Sequence, residues 1–415
     1  MAKLQSVRGT HDILPDEMPR YRNVFDAVAE IGTTYGYGEI ATPIFEFTEV
    51  FKRTLGDTSD VVSKEMYTFN DRGGEGLTLR PEGTAGVARA VMSAGLLQSV
   101  PLKYFYRGPM FRYERPQKGR MRQFHQIGVE LLGVAEPAGD IEVITLGADL
   151  LDRLGVMGDT VLEINTIGDM DSRNAYRDAL VAYLEAHIDQ LSDDSRERLH
   201  RNPLRVLDSK DAGDRAVVAD APRFDDYLTP HAADFFATVL AGLDRLGIGY
   251  RRNPFLVRGL DYYCHTTFEF VTGRLGSQGT VLAGGRYDGL IGQMGGAETP
   301  GVGWAAGVER LSMLAEPRSV APRAVALVPL GDAAEAEALV LARSLRRAGV
   351  VVDLGYGGNL KKRMKRADKI GAARAVIFGD DELARGVAQV KDLDEGGQTE
   401  VALADLVDRL AVRRG

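Results

Sequence analysis

Apolar positions along the chain switch between two periods, and the switches divide it into elements. Asp16 to Tyr35 repeats with helical spacing, Val24, Phe25, Val28 and Ile31 on one side and Pro15 ahead of it. Glu39 to Phe45 reads as a strand ending at Pro43, whose missing N–H demands an edge or a strand end. Glu75 to Gly95 holds a strand (Leu77, Leu79), the turn Arg80-Pro81-Glu82-Gly83 and a helix from Thr84. The clearest period of two lies between Phe111 and Gly133. There Ile127, Val129 and Leu131 point to one face, and Phe124, Gln126, Gly128 and Glu130 to the other. Upstream, Met110, Arg112 and Glu114 share a face in the same way. Asp140 to Gly155 is an amphipathic helix.

From about Ser172 to Asp226, helical periodicity alternates with charged, loop-like segments, which reads as an inserted helical module. Strand signals return at Asn253 to Val271 and Gly279 to Gly292, followed by a strand-to-helix unit at Gly301 to Leu314. Glu316 to Pro322 has linker composition. Beyond it come strand Ala324–Leu330, helix Ala333–Ala348, strand Val350–Leu354, helix Leu360–Ile370 and strand Ala375–Phe378. A strand at Val387–Lys391 and a helix at Leu403–Val412 complete a small α/β domain.

Composition narrows the function classes. With 415 residues, 44% of them hydrophobic and 27% charged, the chain is ordinary for a soluble globular protein. The longest apolar runs are far short of a membrane span, and the polar start lacks a signal-peptide core, so no membrane association and cytoplasmic residence are expected. Cys264 is the single cysteine, which excludes a disulfide framework and a Cys-based zinc site. The six histidines show no ligand spacing; His125 and His265 read as structural. A net charge of −8 argues against a protein that coats nucleic acid, so any nucleic acid must meet local basic patches. Two exist: the loop carrying Arg112, Arg115, Lys118, Arg120 and Arg122, and the run Lys361, Lys362, Arg363, Lys365, Arg366. The second could equally be the wet face of a helix docked by Leu360, Met364 and Ala367.

The hairpin is the first candidate for chemistry. A basic loop on a hairpin is commonly a solvated turn, but Phe124 and neutral Gln126 among paired charges suit a cleft for a polyanion and a small cation. Gly301 to Ala306 fits a loose dinucleotide fingerprint, yet no apolar strand precedes it and no acid follows about twenty residues on. There is no P-loop, so nucleotide phosphates would have to be held by arginines: Arg112, Arg120, Arg258 and Arg310 are the candidates. Arg310 alone would be a surface arginine beside the stripe Trp304, Val308, Leu311. Arg258 falls in an otherwise apolar strand, LVRGLDYY, and needs an anion there. Ala283 to Gly289, AGGRYDG, reads as a turn with close backbone approach from which Tyr287 projects.

These segments together resemble the class II aminoacyl-tRNA synthetases, and among them the histidyl-tRNA synthetase family. The helix–strand ending at Pro43, Phe111 to Glu130, and Gly301 to Arg310 resemble the three class motifs; LVRGLDYY and AGGRYDG resemble the histidine-specific ones. RGTHDILP at the start and RPEGT at Arg80 to Thr84 agree. The resemblance implies an α+β fold, with a catalytic domain (1–320) built on an antiparallel sheet with helices. That domain carries a helical insertion at about 172–226, and an α/β anticodon-binding domain (321–415) follows. It implies a homodimer, and ligation of L-histidine to its tRNA through an adenylate, with ATP as substrate together with Mg²⁺.

By that resemblance Arg112 and Arg258 would meet the α-phosphate as catalytic groups, with Phe124 on adenine and Glu114 near its amino edge. Arg120 and Arg310 would take the distal phosphates. Glu82, Thr84 and Gln126 would hold the histidine amine, Glu130 and Tyr263 its two ring nitrogens, and Tyr262 and Tyr287 would line its pocket. Arg115, Gln117 and Arg122 would meet the tRNA acceptor end. Two other classes compete: a non-catalytic relative that regulates ATP phosphoribosyltransferase, and a pure RNA-binding module. The presence of Arg112, Arg258 and Arg310 and of a C-terminal domain argues against the first, and the paired acids of the cleft against the second.

Overall fold

A computed structural model describes residues 4–56, 59, 61–117, 119–258, 260, 262–315 and 322–411, with only the backbone at 277 and 278. Lys118 of the basic loop, Gly259 and Asp261 of LVRGLDYY, and 316–321 of the expected linker lie outside them. The chain forms two compact units, Met1–Pro317 and Arg318–Gly415.

The strands of the first unit are β1 (Gly38–Glu39), β2 (Phe45–Phe47), β3 (Tyr67–Asn70), β4 (Gly76–Leu79), β5 (Leu102–Phe111) and β6 (Gln123–Leu132). They continue with β7 (Thr160–Thr166), β8 (Tyr250–Arg252), β9 (Cys264–Thr272), β10 (Thr280–Arg286) and β11 (Gly301–Gly307). Eight of them make one sheet in the order β1-β5-β6-β11-β10-β9-β7-β8, antiparallel except at the outer pairs β1/β5 and β7/β8. The expected antiparallel α+β architecture is what forms.

Side-chain alternation decides how that sheet is used. Ile127, Val129 and Leu131 face helices Met18–Thr34, Pro137–Arg153, Pro230–Leu246 and Val308–Leu314, and join Trp304, Phe268 and Phe270 in one core. Full burial of such side chains contributes about 1.5–3 kcal/mol each, which pins the β6 register. A one-residue slip would drive Glu130 into that core. The opposite face of β6 therefore stays polar and open to chemistry.

Several expected elements are corrected. The strand ending at Pro43 is two: β1 stops at Glu39 and β2 starts at Phe45 in a separate sheet ordered β2-β4-β3. Pro43 lies in the crossing between sheets, where no ladder N–H is required. LVRGLDYY is not a strand. The described residues between β8 and β9 lie outside any strand, and the Pro254 and Leu256 carbonyls are capped by the Asn165 amide at 3.3 and 3.1 Å. AGGRYDG is not a turn until Tyr287, because Ala283–Arg286 belong to β10 inside the sheet. The close approach is real: a Cβ on Gly284 would stand 2.1 Å from the Gly303 carbonyl oxygen. GVGWAAG is strand β11 and runs into helix Val308–Leu314, the expected strand-to-helix unit, in keeping with the rejection of a dinucleotide site there. β7 was missed because its outward Val161 and inward Leu162 blur the period.

The second unit is a five-stranded sheet ordered β13-β12-β14-β15-β16, from β12 (Val325–Leu330), β13 (Val352–Asp353), β14 (Arg374–Gly379), β15 (Val387–Asp392) and β16 (Gln398–Ala402). β16 was not expected, since Gln398, Thr399 and Glu400 are exposed. Its basic helix, Leu360–Lys369, docks differently from the reading above. Leu360 is exposed, whereas Arg363 is buried with Ala367 and is tied to Glu335 and to the Gly358 carbonyl. No described helix is long and apolar enough to cross a membrane.

Candidate active site

The cleft opens on the polar face of β6, with a volume of about 220 Å³. Glu82, Thr84, Arg112, Glu114, Arg120, Phe124, Gln126, Arg258, Tyr262, Tyr263, Tyr287 and Arg310 all line it, converging from six segments of the chain. Glu130 lies beneath its floor, and Arg115, Gln117 and Arg122 lie off it.

The floor is built at the start of helix Thr84–Ser93. The Glu82 carboxylate accepts the backbone N–H groups of Thr84 and Ala85 at 2.7 and 2.8 Å, satisfying donors that a helix end leaves open. Burial still pushes the Glu82 pKa up, against those bonds and the charge of Arg112. Thr84 Oγ1 shares a 2.6 Å hydrogen bond with Glu130, and the Tyr287 hydroxyl bonds the other Glu130 oxygen. Glu130 is 1% exposed, and burial lifts its pKa to about 8 despite those two hydroxyls. Gly303 makes room for it, since a Cβ there would stand 2.1 Å from Glu130 Oε2. Tyr262 donates to Tyr263 at 3.5 Å and rests edge-on to Tyr287, 5.7 Å between ring centres. The result is a pocket of carboxylates and phenols.

The rim is cationic. Arg112 donates to the Pro81 carbonyl at 2.9 Å and places its guanidinium 5.4 Å from the Phe124 ring centre. Arg120 pairs with Glu114, and Arg112 stands 4.0 Å from the same carboxylate. Arg310, read alone as a surface arginine, instead crosses to the Gly119 and Thr280 carbonyls at 3.2 and 2.8 Å. Burial lowers its pKa, and the charge of Arg120 adds to the effect. Arg258 pairs with Glu269 on β9; burial opposes its charge, but Glu269 and Tyr263 outweigh it. Glu269 was missed, although a lone acid between Phe268 and Phe270 on one strand is a visible signal.

Among the buried polar side-chain atoms of this cleft, the acceptor Gln126 Oε1 and the donor Arg258 Nε have no hydrogen-bond partner, and Glu114 Oε2 has only its ion pair with Arg120. Such atoms cost about 1–3 kcal/mol each unless a ligand completes them. A crowd of arginines over a pocket of acids can hold a polyphosphate above and an amine with a polarisable ring below.

Outside the cleft, Arg115 and Gln117 are exposed on the loop. Arg122 turns inward: its guanidinium lies 3.9 Å from the Tyr113 ring centre and donates to the Glu114 carbonyl at 3.2 Å. His125 bonds Glu309 through its backbone N–H and ring Nδ1.

Residues 9–311 match the family model for histidyl-tRNA synthetase, and 324–413 match an anticodon binding domain. The chain belongs to the histidyl-tRNA synthetase family. It is 64% identical over 412 residues to the histidine–tRNA ligase of Rhodospirillum rubrum and 59% over 411 residues to that of Gluconacetobacter diazotrophicus, each covering 99% of both chains. The crystal structure of apo Staphylococcus aureus histidyl-tRNA synthetase superposes with a TM-score of 0.82 at 35% identity, over 99% of this chain and 100% of that one. A Bacillus halodurans ATP phosphoribosyltransferase regulatory subunit/histidyl-tRNA synthetase shares the fold, at TM-score 0.66 and 24% identity, over 91% of this chain and 99% of that one. The full-length identity to ligases disfavours the regulatory reading of this synthetase-family chain.

Proposed function

We propose that the chain ligates L-histidine to its tRNA in two steps. A histidine carboxylate oxygen attacks the α-phosphorus of MgATP, pyrophosphate leaves, and the adenylate forms. A ribose hydroxyl of the tRNA terminal adenosine then attacks the histidyl carbonyl, and AMP leaves. Neither step needs a covalent enzyme intermediate, so positioning and electrostatics carry the rate.

Arg112 and Arg258 meet the α-phosphate from two sides, and Arg258 presents its unpartnered Nε to charge that grows during attack. Adenine lies on Phe124 with its amino edge at Glu114; Arg120 and Arg310 take the distal phosphates. Glu82, Thr84 and the unpartnered Gln126 oxygen take the α-amine. Tyr263 and, at the bottom, Glu130 read the ring nitrogens, with Tyr262 and Tyr287 as walls. Buried polar groups of that kind reject isosteres by ~10⁴ or more, because a wrong side chain leaves them unpaired. Arg115 and Gln117, exposed on the loop, meet the acceptor end, Arg122 holds that loop from within through Tyr113 and the Glu114 carbonyl, and the C-terminal unit meets the anticodon. A second copy of the chain covers Ile44, Phe45, Phe47 and Phe69, which are 44–54% exposed around the small sheet. The protein acts in the cytoplasm.

The observation that carries this reading is the pairing of orphaned Gln126 Oε1 and Arg258 Nε in one cleft, acceptor for an ammonium and donor for a phosphate. Histidine-dependent ATP–pyrophosphate exchange tests it. Exchange that depends on histidine is expected; exchange absent, or equal with every amino acid, overturns it.

A further inference from the structure

Among the described non-glycine residues only His265 and Tyr356 have positive φ, and Tyr356 is also 79% exposed. The two differ in what the backbone cost secures. His265 is buried against Phe235. Tyr356, at φ +45°, packs into no core. It stands between Gly355 and Gly357 in a loop after β13, ahead of helix Leu360–Lys369. A left-handed backbone is unfavourable for a side chain with a Cβ, so glycine would serve the loop better on folding grounds.

The surroundings hold this ring outward. The Arg366 guanidinium lies 5.5 Å from its centre and is itself fixed on Asp353 by hydrogen bonds of 2.9 and 2.7 Å. Lys361, Lys362 and Lys365 are exposed on the same helix, and Asn359 caps its start at 3.1 Å. A held aromatic face beside a row of cations is the chemistry that takes an unpaired base with its phosphates.

We infer that Tyr356 is a stacking platform for an unpaired base of the tRNA anticodon loop, with Lys361, Lys362 and Lys365 on the adjoining phosphates. The inference rests on the anticodon-binding reading of this unit. The test uses the full chain and an intact histidine tRNA. Tyr356→Ala should raise the tRNA KM roughly 5- to 100-fold, as loss of one base stack does. Histidine-dependent pyrophosphate exchange should stay within about twofold, and Tyr356→Trp should keep the wild-type KM. Tyr356→Gly should lose tRNA affinity while its Tm holds or rises, since glycine relieves the backbone. A tRNA with abasic anticodon nucleotides completes the cycle: wild type should lose affinity for it, and Tyr356→Ala should lose none further. If abasic tRNA binds wild type weakly but Tyr356→Ala leaves the KM of intact tRNA unchanged, the platform is overturned and the anticodon reading stands. If wild type ignores the abasic change, both fall.

Discussion

Arg258 and Arg286 occupy the two family-specific segments, LVRGLDYY and AGGRYDG, and in sequence they look interchangeable: each precedes or follows glycine and stands near tyrosines. Their surroundings separate them. Arg286 is fully buried and its donors are spent on protein, on Asp140, Asp288 and the Val134 and Glu136 carbonyls. Arg258 has one acidic partner, Glu269, and an Nε without a protein partner. An arginine whose donors are all used is a structural joint, here between β10 and the start of helix Pro137–Arg153. One with a donor to spare over a cleft is placed for a ligand. Donor saturation, more than burial, distinguishes the two.

The largest expected effect tests the joint. Arg286→Ala leaves Asp140, itself 0% exposed, without its counter-charge, and removing one partner of a buried pair costs about 3–5 kcal/mol. Urea unfolding should show that loss. A loss under about 1 kcal/mol would mean that Asp140 is relieved some other way, and the contrast would lapse.

Next comes the ligand arginine. Arg258→Ala should lower adenylate formation by roughly 10²–10³ with histidine binding little changed, because its donors act on charge that develops in the transition state. Stability should fall less than for Arg286→Ala, since Glu269 keeps a hydrogen bond from Thr280 at 2.8 Å. Comparable exchange rates in mutant and parent would remove Arg258 from the chemistry.

How much of this was readable beforehand follows from the same distinction. The β6 alternation places Gln126 and Glu130 opposite Ile127, Val129 and Leu131, because period two is a local property of the backbone. Membership of Arg258 in the cleft was also readable, since an arginine among apolar residues needs an anion. Its partner was not named, because Glu269 lies eleven residues away on the next strand. Arg310 looked like a surface residue for a related reason: the Gly119 and Thr280 carbonyls that hold it come from a distant loop and from the start of strand β10. The role of Arg286 was invisible, because Asp140 is remote in sequence and sits in what reads as an ordinary helix start. LVRGLDYY looked like a strand from its apolar content, but its Leu256 carbonyl is taken by the Asn165 side chain instead of a ladder.

The two buried acids sharpen the contrast at smaller amplitude. Asp140 has an arginine; Glu130 has only the hydroxyls of Thr84 and Tyr287, and its pKa rises from the usual 4.5 to about 8. A raised carboxyl pKa means that the folded state keeps a proton the unfolded state releases. Its contribution to stability is therefore full below about 4.5 and declines as pH rises towards about 8. The slope approaches ~1.4 kcal/mol per pH unit. Glu130→Gln should flatten this decline in the unliganded chain, leaving the share that Glu82 contributes in the same direction. Parallel stability–pH curves for the two proteins would show that Glu130 is ionised in the fold.

The smallest effect probes the acidic partner of Arg258, Glu269. Glu269→Gln keeps the shape and a hydrogen bond but removes the charge. A hydrogen bond with a charged partner is worth about 1.5–3 kcal/mol, and a neutral one about 0.5–1.5, so roughly 1 kcal/mol of orientation is lost. That corresponds to about a fivefold fall in adenylate formation, far short of the loss from Arg258→Ala. Histidine KM should hold, because Glu269 is not among the residues lining the cleft. The same logic applied to Arg286 gives a different answer, since its two carboxylates and two carbonyls share the work and no single neutral substitution would free it. If Glu269→Gln instead matched Arg258→Ala in severity, Arg258 would depend on its partner as wholly as a structural joint does. Donor saturation would then not be what sets the two arginines apart.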